Sequence, residues 1–168
     1  MEGMVGFRTD RLTGTKKGGV TTYVKENLAS LTEVALSNST DFVEILALVI
    51  KPLHLVLVNI YRPPACPTPD FNNTINILES QLNNMSAPLP RIVITGVFNL
   101  PHVDWQRRII PGGSREDHTQ AELLFTLADS WCLNHYITTP TRGKHMLDLF
   151  WSNNDELVHD QSLEDTLM

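Results

Sequence analysis

Two apolar runs dominate the first half of the chain. Phe42 to Ile50 is interrupted only by Glu44, and Leu53 to Ile60 only by His54 and Asn59. Both are rich in Val, Ile and Leu, too short for helices, and separated by Lys51-Pro52, a turn signal. The pattern predicts a central β-hairpin covered on both faces, since a strand with one wet face alternates instead. His54 falls inside the second predicted strand as a packed or edge residue. A third run, Arg91 to Val97, predicts another buried strand; Gly96 loosens its backbone and Pro101 bars it from continuing.

Helical spacing appears twice. Phe71, Ile75, Leu78 and Leu82 fall on one face of a helix over Asp70–Met85, with Asp70 as its N-cap and Pro88 and Pro90 beyond its end. Leu124, Leu127, Ala128 and Trp131 form the buried side of a second helix over Glu116–Trp131. Val20–Val24 reads as a strand, Met1–Thr15 as loop, and Lys16-Lys17-Gly18-Gly19 as a solvated hairpin turn. Met146 to Asn154 is a short strand that carries one carboxylate, Asp148, in an apolar setting. Such a group is costly unless it is paired or bound to something. Strands alternating with helices make the fold class α/β.

Composition narrows the picture little. At 168 residues with 42% hydrophobic content, one domain with a real core is expected. We assign residues 1–154 to that domain and 155–168 to an acidic, frayed tail. The two cysteines, Cys66 and Cys132, have no metal-ligand spacing. No stretch is long and apolar enough for a membrane span, and no secretory signal opens the chain, which points to an intracellular protein of the nucleus or cytoplasm. The net charge is -6, and Asp155, Glu156, Asp160, Glu164 and Asp165 lie in a tail without Lys or Arg. Contact with nucleic acid must therefore come from local basic clusters.

The candidate chemistry lies at predicted strand ends. Asn59-Ile60-Tyr61-Arg62-Pro63-Pro64 stops abruptly at a double proline, so Tyr61 and Arg62 are expected to project from a rigid strand end. Thr95-Gly96-Val97-Phe98-Asn99-Leu100-Pro101, Asp104-Trp105, Pro140-Thr141-Arg142 and Leu147-Asp148-Leu149 follow in order. With Gly18-Gly19-Val20 upstream, this ordered set resembles the endonuclease domain of non-LTR (LINE-type) retrotransposons, within the DNase-I-like endonuclease/exonuclease/phosphatase superfamily.

That resemblance implies two packed β-sheets flanked by helices, here truncated at both ends, and hydrolysis of DNA phosphodiesters assisted by Mg²⁺. It gives Tyr61, Asn99 and Asp148 catalytic positions: Tyr61 as phosphate stabiliser, Asn99 as phosphate orienter, and Asp148 with the metal. Arg62, Thr141 and Arg142 become the nucleic-acid surface. The family's water-activating Asp is replaced by Val97, which has no lone pair to take a proton. Its early Asn, its metal-binding Glu and its late Ser-Asp-His fall outside the matched stretch. The resemblance thus implies impaired or absent cleavage and a weak, incomplete metal site at Asp148, because hard cations need several oxygen ligands. The alternative is a non-catalytic module that binds nucleic acid or protein, or a gene remnant without selected function. Missing strands would also expose sheet and invite self-association.

Overall fold

The structure is a computed structural model, and it describes residues 2–11, 18–40, 42–85 and 89–158. In chain order the elements are β1 (Met4–Thr9), β2 (Val20–Lys25), a helical turn α1 (Glu26–Ala29), β3 (Thr32–Ser39), β4 (Glu44–Ile50), β5 (Leu55–Tyr61), α2 (Thr68–Asn84), β6 (Arg91–Val97), α3 (Arg115–Ser130), β7 (Asn134–His135) and β8 (Asp148–Ser152). Short 3₁₀ turns at Lys51–Leu53 and Asp155–Leu157 complete the set.

The predicted hairpin is the middle of a six-stranded sheet ordered β3-β4-β5-β6-β8-β7. β4 and β5 pair antiparallel, β5 and β6 pair parallel, and β6 and β8 pair antiparallel. A parallel pair needs a crossover, and α2 supplies it. Strand alternation then sorts the side chains onto two faces. Ile45, Ala47, Val56, Val58, Ile60, Ile92, Ile94, Leu149 and Trp151 meet Phe71, Ile75, Leu78 and Leu82 of α2 and Ala121, Leu124, Leu127 and Ala128 of α3. The intervening Leu46, Leu48, Ile50, Leu55 and Val93 pack with Val20 and Val24 of a second sheet, the β1-β2 hairpin. The central strands are covered on both faces, which is why they read as continuous apolar runs.

Gly96 makes the β5-β6 approach possible. Its φ is 141°, and a Cβ there would overlap the Ile60 carbonyl oxygen. Any other residue would have to push the two strands apart.

Several expectations are corrected. Met4–Thr9 is a strand rather than loop, because it pairs in full register with β2. His54 is not in a strand: it is exposed, with φ 46° at the exit of the 3₁₀ turn after Ile50. Asp70 does not cap α2; the helix begins earlier, with Pro67 at the N-cap and Asp70 in its first turn, where a carboxylate still favours the helix dipole. Lys16 and Lys17 lie outside the described residues, as does most of the acidic tail; within the tail, Asp155–Leu157 forms one turn, and Asp155 accepts a hydrogen bond from the Tyr136 hydroxyl.

Candidate active site

The sheet register places three of the singled-out residues abreast. Tyr61 on β5 pairs with Val97 on β6, and Val97 pairs with Asp148 on β8. Glu44 on β4 extends the row on the other side of Tyr61. Residues opposite each other in a ladder project from the same face, so Glu44, Tyr61, Val97 and Asp148 all emerge toward the β1-β2 side. Strands stand about 4.8 Å apart, which puts Glu44 and Asp148 about 14 Å from each other across the row. Val97 therefore lies directly between a phenol and a carboxylate. Asp148 itself is half-buried, and no hydrogen bond satisfies its carboxylate among the described residues.

The far end of the row is more crowded. Glu44 is fully buried, and its Oε1 accepts from Arg11 Nε while its Oε2 has no partner among the described residues. The Arg11 guanidinium carbon lies 5.7 Å from the centroid of the Tyr61 ring. The hydrogen bond to Glu44, with the charges of Glu44 and Tyr61 and a hydrogen bond to Tyr61, raises the Arg11 pKa above its ordinary value against the opposing pull of burial, so the cation is fixed at all working pH. Neither Arg11 nor Glu44 was singled out for the site from sequence. The only signal was Glu44 as the one polar residue in an apolar run.

Asn99 follows two residues after Val97, in the left-handed region at φ 50°. Its side-chain amide donates to the Arg62 carbonyl at 2.7 Å, which ties the loop after β6 to the end of β5. Arg62 corrects an expectation. Rather than offering a cation at the surface, it points to the helix face and is 1% exposed. Its Nε donates to Gln120 Oε1, and its Nη1 donates to the carbonyls of Phe98 at 2.9 Å and Asn99 at 3.2 Å. Asp117 of α3 lies 3.7 Å from Nη2. Gln120 in turn donates to the Cys66 carbonyl at 2.9 Å. Burial pulls the Arg62 pKa below its ordinary value, against the opposing pull of Cys66 and Asp117, and burial pushes the Cys66 thiol up to about 11. The reason Arg62 turns inward is the two-residue period of the strand: if Tyr61 faces the row, the next side chain faces the helices.

Thr141 also has an inner task. Its hydroxyl accepts from the backbone N–H groups of Leu147 at 3.1 Å and Asp148 at 3.2 Å, so it sets the start of β8. Arg142 is exposed, at a tight turn bridged to His145, and its side chain has no protein partner among the described residues. Nearby, Pro101, Asp104, Trp105, Thr138, Lys144 and His145 line a cleft of about 260 Å³.

A divalent ion would need more donors than the row offers. Among the described residues no three His, Cys, Asp or Glu side chains gather at one point. Next to Asp148 stands a valine, and Glu44 is committed to Arg11. The residues described do not fit a tightly held Mg²⁺ ion.

A family model described as endonuclease-reverse transcriptase matches residues 55–168, which include Tyr61, Val97, Asn99 and Asp148. The chain belongs to that family. The endonuclease-reverse transcriptase assignment agrees with the fold. The endonuclease domain of TRAS1, a telomere-specific non-LTR retrotransposon, superposes with a TM-score of 0.55 at 17% identity, over 94% of this chain and 68% of that one. An endonuclease/exonuclease/phosphatase family protein from Bacteroides thetaiotaomicron gives 0.53 at 9% identity, over 91% of this chain and 60% of its own. A mannosyl-6-phosphatase of the same bacterium gives 0.52 at 8% identity, over 90% and 63%. These likenesses establish the DNase-I-like mixed α/β fold. No curated protein matches the sequence.

Proposed function

We propose that this chain is a nuclease-type scaffold that holds a DNA phosphodiester but cleaves it poorly or not at all. One observation carries the reading: Tyr61, Val97 and Asp148 stand side by side on adjacent strands, with an apolar side chain where hydrolysis needs a proton acceptor. In this reading Tyr61 donates to a non-bridging phosphate oxygen, Asn99 orients the phosphate from the loop after β6, and Arg142 supplies a surface cation to the DNA backbone. Thr141 acts indirectly, by fixing the backbone of Asp148. Mg²⁺ would polarise the phosphate when present, with Asp148 as its protein ligand, but the donor set leaves it weakly held. Water at the position of the missing carboxylate finds no base on Val97. Removal of a general base typically costs 10²–10⁴-fold in rate, and a poorly held metal adds to that loss.

The experiment measures two properties of the same sample. Fluorescence anisotropy with a short DNA duplex should show binding that weakens steeply with salt, and Arg142→Ala should weaken it further. Plasmid nicking in Mg²⁺ should stay at background. Strong nicking would overturn the loss of cleavage. Absence of duplex binding would overturn the retained phosphodiester site and favour a remnant without selected function.

A further inference from the structure

The Arg11–Glu44 pair beside Tyr61 is an uneconomical way to stabilise a fold. Glu44 is fully buried, and among the described residues only one of its carboxylate oxygens has a partner. As a device for stability this is poor: a buried ion pair gains little over apolar residues of the same volume, and an unpaired carboxylate oxygen adds cost. As a device for aiming a guanidinium it is sound, because Nε is pinned from below and the rest of the fork is left to act. The surroundings agree. The Arg11 side chain is 20% exposed, so the group reaches solvent while Glu44 does not. Its guanidinium carbon lies 5.7 Å from the centroid of the Tyr61 ring. Gly18, at φ 137°, makes room for it: a Cβ there would fall 2.8 Å from Arg11 Nε. A guanidinium carries five N–H donors, and Glu44 accepts from only one nitrogen of the fork.

We propose that Arg11 is an anion-binding residue of the site, its guanidinium held by Glu44 and set against Tyr61 so that its remaining N–H groups meet a phosphate oxygen. This rests on reading the Tyr61–Val97–Asp148 row as a phosphodiester site, and it adds a cation beside that row. Tyr61 offers a single hydroxyl donor; Arg11 adds a planar, permanently charged fork suited to phosphate. Glu44 is then a positioning residue that touches no ligand. The β1-β2 hairpin is more than a cover for the sheet, because it carries the cation to the row.

The test uses the full chain, Arg11→Gln and Arg11→Lys. Duplex affinity is measured against salt, with thermal melts to confirm folding. In parallel, the Arg11 Nε–H signal is followed by NMR during titration of the unaltered chain with inorganic phosphate. At about 0.1 M salt, Arg11→Gln should bind roughly tenfold more weakly, and its log–log salt slope should flatten by about one. Arg11→Lys should recover the slope but only part of the affinity, since it keeps the charge and loses the fork. The Arg11 signal should move with phosphate and saturate. A merely structural Arg11 would lower the melting temperature and leave slope and signal unmoved, which would overturn the proposal. Should Arg11→Gln fail to fold, the lysine variant and the phosphate titration decide. If the unaltered chain binds duplex while Arg11 shows neither effect, Arg11 fails and the phosphodiester reading stands. If duplex does not bind but the Arg11 signal saturates with phosphate, the DNA reading fails and the anion site stands. If neither occurs, both fall.

Discussion

Tyr61 and Arg62 leave the same strand end in opposite directions, and the regions they enter are built differently. On the helix side Arg62 is closed off from water, and its donors meet Gln120, three backbone carbonyls and Asp117. On the hairpin side Arg11 is partly exposed to solvent, and among the described residues one oxygen of its partner Glu44 is unsatisfied and the Asp148 carboxylate accepts no hydrogen bond. On the helix face Arg62 is satisfied internally by its neighbours and helps hold the fold. The other face leaves polar capacity unused, as a face built for a ligand does. If the row binds a phosphodiester as proposed, the same six strands divide stability from recognition by side-chain alternation alone.

Perturbations should separate the two regions, and the largest should fall where they join. Gly96→Ala inserts a Cβ into the Ile60 carbonyl and parts β5 from β6, beneath both regions. We expect a loss on the order of 4 kcal/mol or more, enough to leave little folded protein in a urea titration. Next comes Arg62→Met, which strips the helix side. It leaves Gln120 and three carbonyls without this donor and should cost about 3–5 kcal/mol by urea unfolding. Arg11→Gln, its counterpart across the sheet, should cost less, about 1–2 kcal/mol, because glutamine can still donate to Glu44 and water reaches the gap. A reversal of that order would break the comparison.

Smaller effects sharpen it. Ser114 caps α3 by accepting from the Asp117 N–H, while the Asp117 carboxylate accepts from the Ser114 N–H. Ser114→Ala should cost about 1 kcal/mol and leave duplex affinity unchanged, since it touches only the helix side. The helix side also has one exception to its tidy pairing. His135, packed among Trp105 and Trp151, has no partner at either ring nitrogen among the described residues. Burial lowers its pKa from 6.5 to about 4. The unfolded chain therefore binds the proton more readily, so this residue's contribution to stability is full above pH 6.5 and declines as pH falls toward 4. Melting temperatures between pH 7 and 4 should fall less steeply for His135→Phe than for the unaltered chain.

Much of this architecture could be read from residues alone. The hairpin β4-β5, the helices α2 and α3 and the strands β6 and β8 follow from apolar runs and helical spacing, because buried layers impose those periods. The alignment of Tyr61, Val97 and Asp148 required the register of β5, β6 and β8, which no local pattern specifies. Arg62 was misread because the direction of a side chain at a strand end depends on which neighbour faces inward. β1 was misread as loop because an exposed hairpin strand, with Met4 and Val5 open to solvent, carries no buried run to mark it. Arg11 and Glu44 meet only through contacts between the two sheets, so neither stood out as part of a site.

The central claim is that the row keeps a phosphodiester site but lacks the means to activate water, and that its deficit is wider than one side chain. Supercoiled-plasmid nicking in Mg²⁺ by the unaltered chain and by Val97→Asp tests this directly. The substitution sets a carboxylate between Tyr61 and Asp148, yet adds only one donor for a cation that needs several. Both proteins should leave the plasmid at background levels of nicking. Strong nicking by Val97→Asp that requires Mg²⁺ and disappears when Asp148→Ala is added would show that the row was complete but for one residue, and would contradict the account.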